Sequence, residues 1–116
     1  MAAAYGVDTK LCEAIKLETE NIKAVWGTTY SSNHEAYAVL MEEVEEAETD
    51  MNVINSNLHS LWEKVKSNFE SVDRIDTTTE LISMQINAKE MAKECVQIAA
   101  VCEKFMNTLM EKGVEN

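Results

Sequence analysis

Between His34 and Val65 the chain reads HEAYAVLMEEVEEAETDMNVINSNLHSLWEKV. Its apolar residues Tyr37, Leu40, Val44, Ala47, Met51, Ile54, Leu58, Leu61 and Val65 follow one another at intervals of three and four without a break. That interval keeps side chains on one face of a helix and, sustained over several turns, is the heptad seam by which helices pair. No proline interrupts it. The spacing predicts a helix over about 34–69, roughly 54 Å long at about 1.5 Å per residue.

The same pattern returns downstream in Leu81, Met84, Ala88, Met91, Cys95, Ile98, Cys102, Phe105 and Leu109, predicting a helix over about 78–112. Between the two, Ser71 to Thr77 mixes turn formers with isolated charges, and Thr77 with Glu80 has the form of a capping box. Two matched seams joined by a short connection imply an antiparallel hairpin. Upstream, Leu11, Ile15, Ile22 and Trp26 share one side of a helix over about 8–26. Gly27 ends it. The polar run Gly27 to Asn33 reads as a loop, and Ser32 with Glu35 offers the N-terminal cap of the long helix, Asn33 being a rival.

The expected fold is therefore all-α: a helical bundle with a long antiparallel hairpin and a shorter N-terminal helix, one domain over residues 1–116. Ile82, Ala92, Val96, Ala99 and Met106 widen the apolar face of the third helix beyond a two-stranded seam. A second copy of the chain is the expected cover, which predicts a homo-oligomer, a dimer or tetramer. Cys95 and Cys102 sit on the apolar stripe and read as small buried hydrophobes; three cysteines without C-x-x-C spacing argue against a disulfide framework or a thiolate zinc site. Trp62, beside Leu61, reads as packing.

Twenty-one acidic against ten basic side chains give a formal charge of −11. Such a field disfavours direct binding to a nucleic-acid duplex, whose affinity comes largely from Lys and Arg. A nucleotide partner needs a divalent cation between its phosphates and the protein. No apolar run reaches the about 20 residues of a membrane span, and the Met-Ala-Ala-Ala-Tyr start lacks the basic residues of a signal peptide, so the expected address is the cytoplasm with no membrane partner.

Glu42, Glu43 and Glu46 form E-E-x-x-E. Residues three or four apart on a helix are neighbours, and each like-charged pair costs about 3 kcal/mol at an effective dielectric near 20 but under about 1 kcal/mol in open water. On periodicity alone, Glu42 and Glu46 fall away from the seam, where acidic residues are solvated. Tyr37, Ala38, Val39, Leu40 and Met41, however, make the preceding segment apolar around most of its girth, so the carboxylates can face an interior and hold a cation.

The run from His34 to Ala47 resembles the first motif of the MazG-like all-α nucleoside triphosphate pyrophosphohydrolases, especially small phage-type members. The run Glu94-Cys-Val-Gln-Ile-Ala-Ala-Val-Cys-Glu-Lys-Phe105 is similar to the helix that follows in them. In that family E-E-x-x-E and a later E-x-x-D hold Mg²⁺ against nucleotide phosphates. The resemblance implies Mg²⁺ (or Mn²⁺) on Glu42, Glu43, Glu46 and Glu94, with Glu42, Glu43 and Glu46 also catalytic. Gln97 stands where the family has Asp. Reflecting the chain about a turn near Asp73 puts residues 100–104 opposite the triad, which makes Glu103 a rival ligand to Glu94. Nucleotide contacts are expected from His34, Tyr37, Gln97, Lys93 and Lys104, and Trp26 and Tyr30 flank the loop where a base could stack.

Three functions follow as expectations. The leading one is Mg²⁺-dependent hydrolysis of a nucleoside triphosphate to the monophosphate and pyrophosphate. The second keeps the pocket without the chemistry, as a protein that sequesters a nucleotide. The third is an acidic coiled-coil adaptor.

Overall fold

The computed structural model describes the backbone of residues 2–66 and 74–112, and the side chains of residues 6–66 and 77–111. Three helices follow in order: α1, Ala2–Trp26; α2, Asn33–Lys66; and α3, Arg74–Lys112. No strand occurs among the described residues, α2 is unbroken over its length, and α2 and α3 pack as a hairpin, so the all-α expectation holds. The N-terminal helix starts six residues earlier than its apolar row suggested, because Ala2 to Ala4 are strong helix formers that need no packing signal. Helix α3 likewise starts at Arg74, four residues before the expected Thr78, so Thr77 lies inside the helix and does not cap it. Residues 67–69, expected to end α2, and 71–73 of the expected turn lie outside the described residues.

The predicted signals between α1 and α2 hold. The Gly27 amide donates to the Lys23 carbonyl at 3.0 Å, and Gly27 has φ 90°, the left-handed conformation that ends a helix and strains any residue with a Cβ. At the start of α2 the Glu35 amide donates to Ser32 Oγ at 3.1 Å. Glu35 returns the cap one residue further out, its Oε1 accepting from the Ser31 amide at 2.9 Å. Both bonds satisfy donors that a helix start leaves open.

By its contacts the chain divides into two compact units: residues 1–44 with 94–116, and residues 45–93. In the first, α1, the start of α2 and the end of α3 enclose Tyr30, Ala36 and Val101, with Ile22, Val39, Leu40 and Phe105 packed against them. The loop between α1 and α2 is tied to α3 by three contacts. Thr108 Oγ1 accepts from the Tyr30 amide at 2.9 Å, Asn107 Nδ2 donates to the Thr28 carbonyl at 2.9 Å, and Lys104 Nζ donates to the Trp26 carbonyl at 3.4 Å.

The second unit is an antiparallel pair whose contact face carries polar residues. Asn57 Nδ2 donates to Glu80 Oε1 at 3.1 Å, the Ser83 hydroxyl donates to Asn57 Oδ1 at 3.1 Å, and Lys64 Nζ lies 3.3 Å from Glu80 Oε2. Hydrogen bonds from Ser60 and Asn57, with the Lys64 ammonium, hold the Glu80 carboxyl below the ordinary carboxylate value.

These contacts correct the expected seams. Leu40, Ala47, Ile54 and Leu61 face inward as predicted, but their alternating partners are Glu43, Asp50, Asn57 and Lys64, while Tyr37, Val44, Met51, Leu58 and Val65 are exposed. On α3, Met84, Met91, Ile98 and Phe105 keep their place, joined by Glu80, Asn87, Glu94, Val101 and Thr108 in place of Leu81, Ala88, Cys95, Cys102 and Leu109. Cys95 is exposed and Cys102 half-buried, both free thiols, and Trp62 is exposed beneath the Lys66 ammonium at 5.9 Å from its ring. On α1, Thr19 rather than Leu11 or Trp26 completes the covered row with Ile15 and Ile22.

Candidate functional site

In the first unit a cavity of about 460 Å³ opens between the three helices. Its apolar wall is Ile22, Val39 and Val101, with the Tyr30 and Trp26 side chains beside them; Tyr30 is buried and Trp26 is 76% exposed, at the surface. The polar lining is Glu18, Glu35, Glu43, Gln97 and Lys104. An enclosure of this size with mostly apolar walls and a few polar groups has the make-up of a small-molecule site.

Glu43 of α2, a lining residue of the cavity, meets Glu94 of α3, which is not among the lining residues. Both are half-buried, and each offers a carboxylate oxygen within 4.8 Å of the other's. At that separation two negative charges repel by about 3 kcal/mol at an effective dielectric near 20. A divalent ion between them removes the repulsion, and oxygen donors of this kind suit Mg²⁺ or Mn²⁺. Mg²⁺–oxygen bonds run about 2.0–2.1 Å, so an ion shared by both carboxylates needs oxygens no more than about 4.2 Å apart. Glu46 follows Glu43 by three residues on α2, so its exposed carboxylate is the neighbour supplied by helix periodicity. Glu42 is exposed and stands outside this group.

Glu94 and Glu103 fall in different places. Glu103 is exposed and lines a different cavity of about 440 Å³, with Cys12, Ile15, Lys16, Thr19, Glu20 and Lys23 of α1. The reflection about Asp73 put Glu103 opposite the triad, whereas in the structure the α3 carboxylate beside Glu43 is that of Glu94. Gln97, one turn beyond Glu94, does line the main cavity beside Glu43.

Lys104 also lines the cavity and is 2% exposed. Its ammonium lies 4.1 Å from the centre of the Tyr30 ring and 3.4 Å from the Trp26 carbonyl, an open acceptor at the negative end of α1. No carboxylate among the described residues closes a salt bridge with it. Burial pushes its pKa below the ordinary lysine value, opposed by the Glu35 charge. The Tyr30 phenol is pushed up by burial and by the charges of Glu35 and Glu43.

The remaining expected contacts fall elsewhere. His34 and Tyr37 are exposed, Tyr37 at 62%, and neither lines the cavity. Lys93 is exposed in the second unit, where its ammonium lies 3.2 Å from Glu90 Oε2. Glu35, assigned only a capping role from sequence, and Glu18, assigned none, are lining residues that pattern reading missed. The capping box itself was the available signal, since it fixes Glu35 where α2 begins, beside Tyr30.

No family model, curated protein or solved structure matches the chain.

Proposed function

We propose that the chain is a Mg²⁺- or Mn²⁺-dependent nucleoside triphosphate pyrophosphohydrolase, releasing the monophosphate and pyrophosphate. The observation that carries this reading is the approach of half-buried Glu94 to half-buried Glu43, which itself lines a cavity with an aromatic and aliphatic wall. The resemblance of residues 34–47 and 94–105 to the MazG-like family agrees with it. A divalent ion held there would neutralise phosphate charge and lower the pKa of a bound water. Glu43 and Glu94 would hold the ion, Glu46 would orient the attacking water and take its proton, and Gln97 would hold the phosphate chain from the adjacent turn. The nucleoside lies along the apolar wall, shielded from water. Bringing a tetra-anion to a protein of charge −11 depends on the cation travelling with it.

Gln97 favours a second reading. It offers one neutral oxygen where a carboxylate would tighten the ion, so a protein that binds and sequesters the nucleotide without turning it over fits the same cavity.

A homo-oligomer is part of the proposal. In the second unit Met51, Leu58 and Val65 lie exposed at heptad intervals on α2, with Leu81, Ile82 and Ile86 exposed on α3, and a second copy is the occupant proposed for them.

Thermal stabilisation by nucleotide with Mg²⁺ tests the site. Glu43→Gln and Glu94→Gln are expected to abolish it and Glu103→Gln to leave it intact. Stabilisation that survives Glu43→Gln contradicts the reading.

A further inference from the structure

The second unit, residues 45–93, covers polar side chains and exposes apolar ones. Asn57, Lys64, Glu80 and Ser83 bond to one another between its two helices, while Met51, Leu58, Trp62 and Val65 of α2 and Leu81 of α3 are 40–54% exposed. These apolar residues share one face. Met51, Leu58 and Val65 each follow a covered residue, Asp50, Asn57 and Lys64, and on α3 the exposed Leu81 and Ala88 follow the covered Glu80 and Asn87. A two-fold axis perpendicular to their common plane relates two antiparallel helices, so residues one 100° step past the contact lie on the same side of both.

Two hairpins stacked through such faces complete a four-helix bundle. Helices about 10 Å wide and about 30 Å long, side by side, offer about 600 Å² per copy, or about 1,200 Å² for both, which reaches the range of specific interfaces. The charges of α2 select the sense of the stacking. Glu45, Glu46, Glu48 and Asp50 stand at one end with no cation among residues 45–50, whereas at the other Lys64 and Lys66 lie against Glu80 and Glu63. Parallel α2 helices would collect the acidic stretches of both copies at one end of the bundle; antiparallel ones keep them at opposite ends.

We infer that two copies pair through this face with α2 antiparallel to α2, centred on Leu58. This rests on the proposed homo-oligomer and gives it a geometry. The interface is isologous: Leu58 meets Leu58 of the second copy, and Met51 and Val65, seven residues to either side, meet each other. Trp62 covers the flank of the row, one turn from Leu58.

The test measures distances between spin labels in the full chain, with Cys12, Cys95 and Cys102 replaced by Ala and one label carried by Glu48→Cys or His59→Cys, both exposed positions. Pairing centred on Leu58 separates the two Glu48 positions by about 30 Å along the bundle and the two His59 positions by about 3 Å, at about 1.5 Å per residue. The Glu48→Cys pair is therefore expected to give clearly the longer distance. Equal distances at the two sites, or a longer one at His59→Cys, overturn the inference and leave the second copy standing. A stable monomer in light scattering at micromolar concentration overturns both. A second measurement keeps the native cysteines and replaces Met51 by photoreactive benzoylphenylalanine. It is expected to cross-link to the segment around Val65 of the second copy, and cross-links that avoid this segment overturn the inference even where the cysteine-free chain does not fold.

Discussion

Replacing Thr108 by Val tests whether the loop between α1 and α2 is held by α3. The Thr108 hydroxyl is 1% exposed as part of its residue; it accepts from the Tyr30 amide at 2.9 Å and donates to the Lys104 carbonyl at 2.8 Å. Valine keeps the branched shape and removes both roles. The Lys104 carbonyl keeps its place in the helix ladder, so the main loss is the acceptor of an amide belonging to a buried core residue. Depriving a buried donor of its acceptor costs about 1–3 kcal/mol, and that is the expected destabilisation. Thr49→Val is the control, because Thr49 is exposed and donates only to the Glu45 carbonyl one turn back; its effect is expected within about 0.5 kcal/mol. Urea unfolding reads both, with the midpoint falling for Thr108→Val and the slope unchanged. A Thr108→Val midpoint indistinguishable from that of Thr49→Val refutes the clasp, and with it the argument that Tyr30 and Lys104 are fixed walls of the cavity.

Gln97→Asp is expected to strengthen Mg²⁺-dependent nucleotide binding or turnover by about tenfold, the scale on which groups around a metal tune it; an unchanged response removes Gln97 from the site. In a Tyr5→Phe/Tyr37→Phe chain the remaining phenol, Tyr30, is expected to ionise above the ordinary 10.0 in an absorbance titration, because burial, Glu35 and Glu43 oppose its anion. The native state holds that proton longer than the unfolded chain, so this stabilisation is whole below pH 10.0 and is lost as pH rises through the folded value. A midpoint at or below 10.0 contradicts the burial of Tyr30. Leu58→Glu, which places a charge in the exposed apolar row of the second unit, is expected to convert a homo-oligomer to monomer in light scattering; a wild type that is already monomeric at micromolar concentration removes the proposed second copy.

Helix identity was legible because it depends on periodicity and on the absence of breakers, both local properties. Gly27 and the Ser32–Glu35 cap set the loop between α1 and α2 for the same reason. The face that turns inward was not legible. Leu40, Ala47, Ile54 and Leu61 belong to two overlapping seams, one completed by Val44, Met51, Leu58 and Val65, the other by Glu43, Asp50, Asn57 and Lys64. Hydrophobicity favours the first. The structure takes the second, because Asn57 and Lys64 find Glu80 and Ser83 on α3, and partnered polar groups can be covered at little cost. Such pairing depends on the register of two distant segments, which no single helix records. The same register error moved Glu103 into contention with Glu94. Lys104 was visible only as one of several lysines, since its burial follows from where α1 ends, a fact of tertiary structure.

Product analysis tests the central claim most directly. The wild-type protein is incubated with a panel of ribo- and deoxyribonucleoside triphosphates and Mg²⁺, and phosphorus magnetic resonance follows the phosphates. The expected products are monophosphate and pyrophosphate in equal amounts, formed with Mg²⁺, suppressed by a chelator, and absent in Glu43→Gln and Glu94→Gln. Nucleotide that binds but stays intact assigns the cavity to sequestration, and a Mg²⁺-independent reaction, or one untouched by both substitutions, contradicts the account.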